Sequence, residues 1–155
     1  MNGMSELLVE QAFLAGFSQQ HVQRLSLVSR RSTFQAGGRI FDEGGPADRF
    51  WLIREGRVQL DTPVPRKGNV AIDTLGPGAV LGWSWLFAPY RWNFGAEAVQ
   101  TTQTIEFDAA GVRQLCDSEP EMGYELTRRF VAVVVQRLQQ TRKRLVQQSR
   151  ASSWA

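Results

Sequence analysis

The sequence predicts a mainly β protein, a jelly roll (double-stranded β-helix) with helices at its N-terminal end and a long helix at its C-terminal end. Short apolar runs alternate with clusters of Gly, Pro and Asp between Gly37 and Gly82, as is typical of strands joined by tight turns. Segments with helical spacing of apolar residues lie on either side of this region. With 155 residues the chain is long enough for a single domain with its own core, which we expect over residues 1–155.

The N-terminal part predicts a helical lead-in over residues 5–31. Its main helix is expected from Ser18 to Arg30, because Ser18 is a suitable N-cap and the apolar residues that follow recur at helical spacing. These apolar residues are Val22, Leu25 and Val28. A short helix is expected before it, containing Phe13, Leu14 and Phe17.

The β-roll is expected over residues 33–107. Its strands are predicted where runs rich in β-branched and aromatic residues lie between turn residues. These runs are Arg39–Phe41, Phe50–Ile53, Val58–Leu60, Val70–Ile72 and Val80–Leu81. The segment Thr62–Asn69 predicts a loop, because it holds two prolines and a Gly-Asn pair, which do not suit a central strand.

Two helices are predicted over residues 108–148. Asp108 is expected to cap a short helix from Ala109 to Leu115, and the longest helix is expected to begin at Asp117 or Ser118. The long helix carries an apolar stripe at intervals of three or four residues. The stripe consists of Phe130, Val134, Leu138, Thr141 and Leu145. Packing on the chain's own domain and pairing with the same helix of a second chain both explain this stripe.

Composition excludes several functional classes. No apolar run approaches the 18 residues of a membrane span, and the N-terminus lacks a secretion signal, so we expect a cytoplasmic protein without membrane contact. Cys116 is the only cysteine, and its acidic neighbours disfavour a reactive thiolate. The single histidine, His21, falls in the first turn of a helix, which argues against a metal-binding barrel or a nucleophile–histidine pair. We therefore expect no enzyme, no metal and no cofactor.

The net charge of +3 is unevenly distributed. From Glu121 to Ala155 the chain has seven basic and two acidic residues. A basic helix of this kind suits contact with nucleic acid, acidic lipid or an acidic partner, but it is equally typical of a solvated helix face.

Two segments resemble a known family: GRIFDEGGPADRFWLIREGRVQL from Gly38 to Leu60, and LGPGAVLG from Leu75 to Gly82. Their glycine spacing resembles that of the cyclic-nucleotide-binding domains of catabolite-activator and kinase-regulatory proteins. The resemblance covers residues 10–146. It implies a β-roll that holds a nucleotide, and a homodimer formed through the C-terminal helix.

The resemblance also implies a ligand site. In the family a strand ends in Gly-Glu, a short helix follows, and backbone amides with a downstream arginine hold the cyclic phosphate. Here Gly82 fits the turn, and a short helix is expected from Ser84 to Phe87. The backbone amides of Gly82, Ser84 and Trp85 are expected to point toward the anion. Trp83 stands where the glutamate is expected, and an indole cannot accept a hydrogen bond from a sugar hydroxyl.

The sequence leaves two possibilities for the residue that corresponds to the phosphate-binding arginine of the family. Arg91 is near it, but an ungapped comparison places Trp92 there, and a slip of one residue along a strand reverses the face of the side chain. A loop shorter by one residue would bring Arg91 back to the pocket. The candidate ligand-binding residues are Gly82, Trp83, Ser84, Trp85, Arg91 and Trp92.

Six aromatic residues crowd the same segment, and they have two interpretations. They either stack on a flat ligand or form an exposed contact surface, or they fill the roll where relatives hold a nucleotide. We expect partial filling, with one or two rings left exposed. The six are Trp83, Trp85, Phe87, Tyr90, Trp92 and Phe94.

The sequence thus predicts a stand-alone regulatory module that senses a small anionic ligand, with cyclic nucleotides among the candidates, and signals through its C-terminal helix. The first alternative is a ligand-free interaction module with an aromatic-filled pocket. The second is part of a catabolite-activator-like transcription regulator. Only about ten polar residues follow the last helical stripe, so we do not expect specific DNA binding by this chain.

Overall fold

The computed structural model describes residues 2–153. Two short helices open the chain, α1 (Gly3–Val9) and α2 (Gln19–Ser26), with a 3₁₀ turn at Ala12–Leu14 between them. The hydroxyl of Ser18 accepts a hydrogen bond from the backbone N–H of His21 at 3.2 Å, which confirms Ser18 as the N-cap. The helix ends four residues before Arg30, so that predicted boundary is wrong.

The early end of α2 has a tertiary cause. The residues from Ser29 onward pair with a strand more than 70 positions later, with Ser29 opposite Phe107. Helical spacing is a local signal, and here pairing with a distant strand overrides it. The roll therefore begins at Ser29 and not at Thr33.

Within residues 2–153, eight strands form two antiparallel sheets of four, in the orders β1-β8-β3-β6 and β2-β7-β4-β5. This arrangement confirms the predicted fold class of a jelly roll with flanking helices. The strands are β1 (Ser29–Phe34), β2 (Arg39–Phe41), β3 (Arg49–Glu55), β4 (Val58–Val64), β5 (Gly68–Leu75), β6 (Val80–Leu81), β7 (Gly95–Ala98) and β8 (Thr102–Asp108).

The β4–β5 hairpin corrects the predicted loop at Thr62–Asn69. Both strands extend into that segment, and Pro63 pairs with Asn69. Strand β7 pairs with β4 only as far as Asp61, so the last part of β4 and all of β5 form a two-stranded ribbon at the sheet edge. Proline is tolerated there because a strand at a sheet edge does not need every backbone N–H for pairing with a neighbouring strand.

Two helices follow the roll, α3 (Ala109–Ser118) and α4 (Pro120–Ser153). Asp108 caps α3 as predicted, accepting from the backbone N–H of Gly111 at 3.3 Å. Helix α3 extends past Leu115, and Glu119 is its C-cap, so α4 begins at Pro120 and not at Asp117 or Ser118. The 34 residues of α4 give it a length of roughly 50 Å.

Helix α4 is joined to the roll by aromatic packing. Phe130 is fully buried and contacts Phe50 and Trp85 edge-on, with ring centroids 5.2 Å apart in both pairs. Phe13 packs on the same ring at 5.0 Å, so the N-terminal segment shares this core. Among the described residues, no helix combines the length and apolarity that crossing a membrane requires.

Candidate ligand-binding groove

A groove of about 600 Å³ lies between the β-roll and α4. Six of its lining residues come from the roll: Leu60, Ala71, Ile72, Asp73, Trp83 and Phe94. Seven come from α4: Val134, Arg137, Leu138, Thr141, Arg144, Leu145 and Gln148. The predicted helical stripe therefore faces the chain's own roll, and we call this space the α4 groove.

Two arginines hold the later part of α4 against the roll. Arg144 donates to Oδ1 of Asp73 at 2.9 Å and also to the backbone carbonyl of Ile72. Arg137 donates through Nη2 to the backbone carbonyl of Val80. These contacts connect α4 to β5 and β6.

Arg137 carries an unsatisfied donor. Its Nη1 atom is buried and has no hydrogen-bond partner among the described residues. Burial lowers the pKa of Arg137, and the nearby carboxylate of Asp73 opposes that shift only in part. An arginine stays protonated in proteins, so the positive charge of Arg137 borders a largely apolar groove. A buried donor of this kind is costly until an acceptor reaches it.

Of the six predicted site residues, Trp83 lines the α4 groove. Its half-buried ring meets Phe94 in an edge-on contact with centroids 6.0 Å apart. Gly82 precedes it with φ +95°, and a Cβ at Gly82 would lie 2.8 Å from the ring of Trp92. Glycine is therefore needed at this turn both for its backbone conformation and for the close approach of the indole.

Ser84 and Trp85 begin the predicted short helix, which is a 3₁₀ turn at Ser84–Leu86. Both side chains are buried and neither lines the α4 groove. The ring of Trp85 stacks on Phe50 at 4.7 Å, and its backbone carbonyl accepts from Arg113 at 2.8 Å. The ring of Trp85 is thus part of the core, and the use of the Ser84 and Trp85 backbone amides for an anion stays a prediction.

Arg91 and Trp92 occupy opposite faces of the chain. Trp92 points into the roll, where it is 3% exposed and stacks on Phe41 at 3.9 Å. Arg91 is exposed, and its Nη1 donates to the backbone carbonyl of Gly44 at 3.3 Å. Side chains alternate in extended backbone, so the inward position at this point belongs to the indole. Arg91 does not line the α4 groove, and its role as the anion ligand is not supported.

The aromatic segment mostly fills the roll. Trp85, Trp92 and Phe94 are buried and Trp83 is half-buried, whereas Phe87 is 57% and Tyr90 38% exposed. The prediction of partial filling with one or two exposed rings is confirmed, since two rings are exposed. The rings of Phe41, Trp92 and Trp51 fill part of the interior, whereas Trp83 and Phe94 border the α4 groove.

Sequence reasoning missed an ion pair inside the roll. Arg39 donates to both carboxylate oxygens of Asp61, with Nη2 at 2.7 Å from Oδ1, and the bond to Asp61 is the main reason that the pKa of Arg39 is raised. Asp61 is 2% exposed. A shift in pairing register beside Leu60 accompanies two consecutive buried residues, which a regular alternation would not predict. Because the carboxylate neutralises Arg39, this arginine is not a free site for an anion.

Cys116 fits the expectation of an unreactive thiol. Burial raises the pKa of its thiol, and the charge of Asp117 raises it further. No group of three or more histidine, cysteine or acidic residues is arranged to hold a metal in the described part of the chain.

Three comparisons with known proteins agree on the fold. The cyclic nucleotide-binding domain family matches residues 31–119. A CRP-like cAMP-activated global transcriptional regulator from Mycobacterium tuberculosis is 24% identical over 142 residues, which is 92% of this chain and 62% of that regulator. This chain thus spans less than two thirds of that relative.

A cyclic nucleotide-gated potassium channel from Mesorhizobium japonicum is 32% identical over 93 residues, 60% of this chain and 24% of the channel. Among solved structures, a cyclic nucleotide-binding domain from Methylobacillus flagellatus has a TM-score of 0.78 at 21% identity and covers 94% of this chain and 82% of its own. At 21% identity, this structural similarity supports only the fold. Together with the family match across more than half of the sequence, these findings show that the chain belongs to the cyclic nucleotide-binding domain family.

Proposed function

We propose that the chain is a regulatory module that binds a small anionic ligand in the α4 groove and passes the bound state to α4. The observation that carries this proposal is the composition of the groove, to which the roll supplies six lining residues and α4 seven. A ligand between them contacts both, so its binding free energy depends on where α4 lies. The family makes cyclic nucleotides the first candidates. Catalysis is not part of the proposal.

The two ends of α4 are held in different ways, which supports signalling through this helix. Near its start, Phe130 is locked into the aromatic core. Further along, the groove side is held by Arg137 and Arg144, and the Arg144 pair is partly exposed. An anion that binds Arg137 or Arg144 competes with these contacts and so shifts the position of the later half of α4.

We also propose that two chains pair through α4, as the family resemblance implies. Six large apolar side chains of α4 are exposed in the described residues, and four of them follow each other at spacings of four, three and seven residues, as in a coiled-coil seam. The four are Val131, Val135, Leu138 and Leu145, of which the two leucines also border the α4 groove. Sedimentation of the full chain should show a dimer that Val135→Lys converts to a monomer, with Gln136→Lys as the matched control. Sedimentation as a monomer at all concentrations would remove this part of the proposal.

The ligand proposal is tested by calorimetric titration of the full chain with cyclic AMP and cyclic GMP. Hydrogen exchange across α4 is measured in the same samples. Saturable binding that changes exchange at residues 134–148 and is weakened by Arg137→Met supports the proposal. If neither nucleotide nor any other small anion binds at millimolar concentration, and exchange in α4 stays constant, the proposal fails.

The filled roll favours a second candidate, a ligand-free interaction module. Trp92 takes the inward position beside the turn, where it stacks on Phe41 at 3.9 Å and lies 6.1 Å from Trp51. This candidate predicts that no small molecule raises the melting temperature. It also predicts that the exposed ring of Phe87 belongs to a contact surface for another protein.

A further inference from the structure

We propose that the ligand of the α4 groove is an amphipathic anion, with a body of planar apolar rings and one carboxylate or sulfonate group that Arg137 binds. This inference rests on the proposed function, because it names the class of ligand for the same groove. It differs from the family's nucleotide in having a single charged end and no sugar.

The walls of the groove are mainly apolar. Trp83 and Phe94 meet at an interplanar angle of 60° and form an aromatic corner on the roll side. Leu60 and Ile72 continue that wall, and Leu138 faces it from α4. Planar rings gain contact area and favourable edge or stacking geometry against such a corner.

The charges of the groove favour one anionic group. Three lining residues are charged, and Arg144 and Asp73 pair with each other at 2.9 Å. Arg137 remains as the lining cation, and no carboxylate forms an ion pair with it within the described residues. A carboxylate or sulfonate oxygen accepts well from a guanidinium, and this pairing strengthens where water is excluded.

A cyclic nucleotide fits this lining poorly. Asp73 is the one acidic side chain that lines the groove within the described residues, and Arg144 already occupies it. Trp83 offers a ring where the family resemblance implies a carboxylate for the ribose. The hydroxyls of a bound ribose would lie against an apolar wall without hydrogen-bond partners, which weakens the binding free energy. Inside the roll, Arg39 is neutralised by Asp61 and does not replace the missing phosphate contact.

The test uses two probes with the same rings. One is 1-anilinonaphthalene-8-sulfonate, and the other is N-phenyl-1-naphthylamine, which lacks the sulfonate. Both are titrated by fluorescence into the full chain and into Arg137→Met, Arg137→Lys and Arg142→Met. Arg142 lies on α4, is exposed and does not line the groove, so it is the matched control.

We expect the sulfonate to bind at one site, with an affinity that falls roughly tenfold or more in Arg137→Met. Arg137→Lys should recover part of the loss, and Arg142→Met should behave like the unchanged chain. The affinity of the neutral probe should not change in Arg137→Met. That result also shows that the groove of the variant is still formed.

Three results would overturn the inference. If Arg137→Met leaves sulfonate binding unchanged, Arg137 is not the anion partner. If cyclic AMP binds in the micromolar range and displaces the sulfonate, the proposed function stands but the ligand class is wrong. If neither probe nor any nucleotide binds, the inference and the proposed function fail together.

Discussion

The interior of the roll beside Gly82 and the α4 groove both contain side chains of the same aromatic segment. In the interior these rings pack against each other, whereas in the groove they border open space. In the interior, Trp92 and Phe41 stack at 3.9 Å, so aromatic rings fill the inward position beside the turn. In the groove, Trp83 is half-buried and borders about 600 Å³ of space. The difference shows that an aromatic cluster in a sequence does not identify a binding site.

The largest expected effect compares the two tryptophans directly. Trp92→Ala should lower the free energy of unfolding by about 3–5 kcal/mol, because it removes a buried ring and leaves a cavity. Trp83→Ala should cost about 1–2 kcal/mol, since part of its ring already contacts water. Urea unfolding of both variants measures the difference. Equal losses would mean that the groove is as closely packed as the interior.

The turn between the two regions should be nearly as sensitive. Gly82→Ala should cost about 2–4 kcal/mol, because the positive φ disfavours a side chain and the added Cβ meets Trp92. Gly44→Ala is the matched control, since its φ is +85° but its added Cβ has nothing within 4 Å. We expect about 1–2 kcal/mol for this control by the same unfolding measurement. If the two glycines gave the same loss, steric contact with Trp92 would play no part.

The smallest expected effect lies on the groove side. Arg144→Gln should lower the free energy of unfolding by less than about 1 kcal/mol, because its ion pair with Asp73 is partly exposed. The loss should shrink further in high salt, as screening weakens the pair in the unchanged chain. Hydrogen exchange in α4 should nevertheless rise at residues 140–150. A loss above 2 kcal/mol would show that this end of α4 is held as firmly as its start.

The parts of the fold set by local chemistry were predictable from the sequence. Strand β2 at Arg39–Phe41 and strand β6 at Val80–Leu81 match to the residue, because Gly and Pro corners bound them. The predicted helix end at Arg30 was wrong, because the helix is ended by pairing of Ser29 and the following residues with a distant strand. The loop at Thr62–Asn69 was wrong because prolines are excluded from central strands but not from an edge ribbon.

The site was predictable only in part. Trp83 does line the groove, whereas Arg91 does not, because a single step along the chain reverses the side-chain face. Arg137 was missed, although a signal exists. Val134, Arg137 and Thr141 follow each other at spacings of three and four, so the arginine lies on the same helical face as the apolar stripe. The sequence analysis assigns the basic residues of α4 only to the outer surface, facing solvent or a partner.

The fully buried ring of Phe130 makes the start of α4 a fixed pivot. From Phe130 to Ser153 the helix continues for roughly 35 Å at 1.5 Å per residue. A tilt of about 5° at that pivot would therefore carry the far end about 3 Å sideways. A rearrangement at one guanidinium that tilted α4 would thus be enlarged along the length of the helix.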